Sequence, residues 1–126
     1  MKAFLAAAAV AAAAVPIVAH HSLISQFDET KSLTLQGVIT SVEWNNPHVY
    51  LHLDVKGKDG AVEQWTFEAL PPGTLRRNGL RSDMLARGTA VTILGFPAHD
   101  GANVAFLRKV TFADGKEVVV WIERRE

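Results

Sequence analysis

The chain has 126 residues, with 13 basic and 13 acidic side chains and a formal net charge of zero. That length allows one domain once a leader is removed, and the balanced charge excludes the strongly basic footprint of a nucleic-acid-binding protein. Cysteine is absent, which excludes disulfides and thiolate metal ligation, so any metal site must use His and carboxylate donors.

Met1-Lys2 forms a short basic start, and Ala3 to Val15 is an almost pure Ala/Val/Leu/Phe run. Pro16-Ile17-Val18-Ala19 then breaks the helical pattern and ends on a small residue. This is the tripartite pattern of a signal peptide spanning residues 1–19, although Ile17 is an aliphatic residue where alanine is usual. The alternative is an uncleaved anchor, but Ala3 to Ala19 is 17 residues long and dominated by alanine, whereas a spanning helix needs about 20 strongly apolar residues. Cleavage after Ala19 leaves 107 residues with a net charge near −1 and an expected address in the periplasm or outside the cell. No second apolar stretch is long enough to span a bilayer, so the mature protein is expected to be soluble, with no membrane contact.

After His20-His21-Ser22, a lead-in loop runs from Leu23 to Lys31, with Phe27 available as an apolar tether. Leu33 to Trp44 is rich in β-branched residues and reads as the first strand, with Gly37 suggesting a bulge or bend. Asn45-Asn46-Pro47 is a turn. His48 to Val55 alternates cleanly: Val49, Leu51, Leu53 and Val55 face one way, and His48, Tyr50, His52 and Asp54 the other. A hairpin ending in Asp59-Gly60 leads to a third strand, Ala61 to Glu68. Val62, Gln64, Thr66 and Glu68 share one face of it, while Trp65 and Phe67 are expected in the core. Thr74 can cap a short helix from Leu75 to Asn78, stopped by Gly79, and Ser82 to Arg87 can form a further helical turn. Thr89 to Gly95, Val104 to Phe112 and Glu117 to Ile122 complete the strands. Between the last three lie a loop with His99-Asp100-Gly101 and a turn at Asp114-Gly115. Five to six strands with a helical insertion after the third predict an all-β fold, a small OB-like Greek-key barrel, with a β-sandwich or split barrel as alternatives.

A series of local motifs accompanies this pattern. His20-His21-Ser22 follows the leader, then come Phe27-Asp28, Leu35-Gln36-Gly37-Val38-Ile39 and Trp44-Asn45-Asn46-Pro47-His48. Trp65-Thr66-Phe67-Glu68, Leu75-Arg76-Arg77-Asn78-Gly79, the Gly88-Thr89-x-Val91-Thr92 strand start and Phe96-Pro97-Ala98-x-Asp100-Gly101 follow. The chain resembles the small exported bacterial proteins of domain-of-unknown-function family 6152 over essentially its whole mature length. It departs from that pattern at Thr89, where the family more often has Asp, and in a somewhat basic helical insertion. The resemblance implies export and a small β-fold, and carries no reaction.

The histidines are the residues with chemistry to offer. As a free amino terminus, His20 can chelate a metal through its amine and Nδ1, since both lose their protons near neutral pH. The alternative is a frayed polar terminus. His21 adds a second ring, which can ligate through an amine, amide and imidazole set or hydrogen-bond the sheet. A distant ring completing a three-nitrogen, T-shaped site suits copper, which tops the divalent affinity order. His48, at the corner after Pro47, is the preferred third ligand; its alternative role is to cap the turn. His52 lies four residues along the same strand, roughly 13 Å away, so one ion cannot take both. Glu68 can serve as a ligand or orient one, or stand as a solvated strand residue. His99 reads as surface.

No Gly-x-Ser-x-Gly elbow, phosphate-binding glycine loop or His-Glu-x-x-His pair occurs in the chain. Two functions remain. The first is a periplasmic or secreted copper-binding protein for storage, delivery or sensing, with His20, His48 and His21 as ligands. The second is a non-catalytic OB-like domain that binds a peptide, glycan or periplasmic partner protein through Tyr50, Trp44 and His52.

Overall fold

The computed structural model describes residues 24–122. The elements are β1 (Leu33–Trp44), β2 (Val49–Lys56), β3 (Val62–Ala69), α1 (Pro72–Arg77), a 3-10 turn (Ser82–Met84), β4 (Ala90–Pro97), β5 (Val104–Phe112) and β6 (Glu117–Val119). The expected signal peptide, residues 1–19, and His20-His21 lie outside the described residues. Among the described residues no helix is long and apolar enough to cross a membrane.

β1 pairs antiparallel with both β2 and β4, β2 with β3, and β4 with β5. A parallel pairing of β3 with β5 closes the ring. The five-stranded barrel therefore runs β1-β2-β3-β5-β4, the order of an OB-type barrel, and its closure excludes the sandwich and split-barrel alternatives. β6 is a short flap on β5. The alternation read in the second strand sets the wall: Val49, Leu51, Leu53 and Val55 are all buried inside, with Phe67, Ile93, Ala105 and Leu107. Trp65 is only half-buried, at the margin of this core.

The expected helix differs in its start. α1 begins at Pro72 after Pro71, with no side-chain cap, because a proline in the first turn needs no partner for an N–H it lacks. Thr74, the expected cap, instead accepts a hydrogen bond from Arg77 at 3.1 Å. Gly79, at φ +96, ends the helix as expected. Leu75, Leu80 and Leu85 are buried in the core, so the insertion plugs one end of the barrel.

Gly37 does not mark the bulge, since the β1–β2 register shifts between Ile39 and Ser41. Its role is close approach, because a Cβ there would lie 2.6 Å from the carbonyl oxygen of Asp54.

A second apolar cluster sits on the outer wall. Phe27, Phe96 and Phe106 are buried together, with Ile24 and Trp121 packed on them. The Phe27 and Trp121 rings lie 5.7 and 5.2 Å from that of Phe106. A bridge to Ala98 and a hydrogen bond from the Asp28 N–H to the Pro97 carbonyl at 2.8 Å hold the lead-in there. Phe27 is thus the tether that its position in the lead-in loop predicts.

Candidate functional site

The strand registers align one row of outward side chains across the barrel. Glu43 on β1 faces Tyr50 on β2, Tyr50 faces Glu68 on β3, Glu68 faces Phe106 on β5, and Phe106 faces Phe96 on β4. The polar half of the row meets the apolar half at Glu68. With the lead-in packed on Phe106, Glu68 is only 9% exposed and is the one buried charged residue among those described. The reading of Glu68 as a solvated strand residue is therefore replaced by a buried carboxylate.

A buried carboxylate needs donors, and two neighbours supply them. His48, at the corner after the cis Asn46–Pro47 bond, places Nδ1 3.2 Å from Glu68 Oε1. The Tyr50 hydroxyl makes a long contact of 3.5 Å to the same oxygen. Burial raises the Tyr50 phenol above its ordinary pKa, and the charge and hydrogen bond of Glu68, with the charge of Glu43 beyond, push it the same way. Tyr50 therefore stays protonated and acts as a donor.

His52 is wired differently. Its Nε2 lies 2.7 Å from Glu43 Oε2 and its Nδ1 2.9 Å from Thr66 Oγ1, so both ring nitrogens are engaged. His48 has one nitrogen engaged, and among the described residues its Nε2 has no hydrogen-bond partner. That asymmetry separates two histidines that strand parity alone placed on one face.

Trp44, at the end of β1, is half-buried against the core and pairs with Val49. His99 is exposed, as its loop composition predicts. Among the described residues no three His, Cys, Asp or Glu side chains converge on a point where a metal ion could be held. The Thr66 contact to His52 and the burial of Glu68 were not visible in the sequence. Parity put all three residues outside, but gave no sign of what lay beside them.

These features define a class: a single OB-type barrel whose outer wall carries a histidine–carboxylate–tyrosine cluster beside a packed lead-in. The chain belongs to the family of unknown function DUF6152, whose model matches residues 7–123. Among curated proteins none matches it. Solved structures that share the fold include two from different sources. One is the mitochondrial single-stranded DNA binding protein Rim1 of S. cerevisiae, with 9% identity and a TM-score of 0.50, covering 66% of this chain and 93% of that one. The other is the dimeric N-terminal domain of the PriB protein from Thermoanaerobacter tencongensis, with 20% identity and a TM-score of 0.50, covering 68% and 98%. At these identities the likeness extends to the fold alone.

Proposed function

We propose that this protein is an exported copper-binding module, periplasmic or secreted, whose site combines His48 with the amino-terminal His20 and its neighbour His21. The observation that carries the reading is the buried Glu68 beneath His48. A metal-bound imidazole commonly donates its other N–H to a carboxylate, which fixes the ring and raises its basicity. Glu68, with Tyr50 beside it, would serve as that carboxylate, and Nε2 of His48 would be the ligating atom.

The route of the chain supports the same assignment. Ile24 and Phe27 pack on Phe106, whose register partner is Glu68. Neighbouring strands lie about 4.8 Å apart. The four residues from Ile24 back to His20 span up to about 14 Å when extended, enough to cross from Phe106 to His48. Leader removal after Ala19 would then supply the free amine that completes a three-nitrogen set suited to copper. The module would store, deliver or sense the ion.

A nucleic-acid ligand is disfavoured, although Rim1 is a single-stranded DNA binding protein, because the outward face beside His48 carries Glu43 and Asp54, which repel phosphate. The competing reading is an interaction domain using Tyr50, Trp44 and His52 to bind a peptide, glycan or partner protein. Its support is the shared outward face of Tyr50 and His52 on β2, whereas Trp44 pairs with the buried Val49 and packs against the core.

Calorimetric titration of protein starting at His20 tests the choice. One Cu(II) per chain should bind, and His48→Ala and Glu68→Gln should each weaken it by about 10–100-fold. Equal binding by wild type and His48→Ala would refute the copper site and favour the interaction domain.

A further inference from the structure

The outer wall holds a second constellation that copper binding leaves unused. Glu43, His52 and Thr66 come from β1, β2 and β3, with His52 directly opposite Thr66 in the register. His52 Nε2 lies 2.7 Å from Glu43 Oε2 and Nδ1 2.9 Å from Thr66 Oγ1, and for a neutral ring the carboxylate decides the tautomer. An ionised carboxylate only accepts, so in the neutral ring the hydrogen sits on Nε2. Nδ1 is then the acceptor of the Thr66 O–H. The result is a carboxylate–imidazole–hydroxyl chain with the polarity of a nucleophile-activating triad. The hydroxyl directs its proton at a base, which leaves its oxygen lone pairs for an electrophile.

A hollow of about 270 Å³ opens beside it, lined by His52, Gln64 and Thr66 among others. That volume is below the usual range for drug-sized ligands and suits a short acyl group. Gln64 shares the outward face of β3 with Thr66 and carries an amide donor for a developing oxyanion.

We infer that Thr66 is a nucleophile toward small activated acyl esters, with His52 as general base and Glu43 as the positioning residue. Thr66 Oγ1 attacks the ester carbonyl carbon while its proton passes to His52 Nδ1. The tetrahedral adduct then collapses, the ester C–O bond breaks, and the departing alkoxide takes that proton from Nδ1. The products are a Thr66 ester and an alcohol. Water repeats the steps in reverse roles: it gives a proton to Nδ1, its oxygen attacks the Thr66 ester, and Thr66 leaves reprotonated as the acid is released.

The test uses p-nitrophenyl acetate as the probe, with EDTA present so that the outcome is independent of copper. Nitrophenolate release and peptide mapping by mass spectrometry are the readouts. An acetyl group should appear on the peptide containing Thr66 and should be lost in Thr66→Val and His52→Gln. Thr66→Ser restores a hydroxyl at the same place and should retain acetylation, which separates loss of the nucleophile from loss of the fold. Glu43→Gln should slow acetylation at least about tenfold and alter its pH profile, which a merely structural partner would not do. Acetylation confined to lysines, or equal labelling of wild type and Thr66→Val, would overturn the assignment.

Discussion

Tyr50 is the chain's single tyrosine, so its ionisation can be followed alone by ultraviolet absorbance. Burial, then the Glu68 charge and hydrogen bond, then the Glu43 charge all raise its pKa in the folded protein. A raised folded value favours the neutral phenol, so this contribution to stability is fully present below the ordinary tyrosine pKa of about 10. It is lost as pH rises through the higher folded value. The alkaline titration should therefore have its midpoint above that of free tyrosine, and Glu68→Gln should lower it part of the way, because burial remains. A wild-type midpoint at the ordinary value would contradict the cluster. Strand parity made the outward direction of Glu68 legible from the sequence. Its burial was not legible, because the covering groups, Phe106 and the lead-in on it, meet Glu68 only when β3 and β5 close the barrel.

The elements were largely legible because their signals are local. β1 and β5 have the bounds read from the sequence, and the four-residue apolar alternation of β2 faces the core as expected. The helical insertion was legible in position but not in its start, where the prolines outweigh Thr74 as a signal. Gly37 suggested a bulge or bend, whereas its requirement comes from the neighbouring strand: a Cβ would press on the Asp54 carbonyl oxygen at 2.6 Å and on the Val55 side chain at 3.0 Å. Gly37→Ala should therefore destabilise the fold by about 1–3 kcal/mol, measured by urea denaturation. Leu75, fully buried at the barrel end, should cost about 2–5 kcal/mol on replacement by alanine. A neutral Leu75→Ala would mean that α1 does not plug the barrel.

At the scale of the molecule, two apolar cores do different jobs. The inner one fills the barrel, and the outer one clasps the lead-in and the C-terminal segment through Phe27, Phe106, Phe96 and Trp121. The order of strands and insertion made the barrel legible. The clasp was less so, because Phe27 could be marked as a tether but its partner lies on another strand, far along the chain. Phe106→Ala should lower stability by about 3–5 kcal/mol and expose the segment around residues 24–28 to limited proteolysis. Unchanged cleavage there would show that Phe106 does not hold the lead-in.

The proposed copper site requires that leader removal join a free amino terminus to His48. It is tested most directly by intact-mass determination and Cu(II) titration of exported protein, compared with a form carrying one added residue before His20. The mass should begin at His20, one Cu(II) should bind tightly, and affinity should be at least about tenfold weaker in the extended form. Equal copper affinity in the two forms would contradict it.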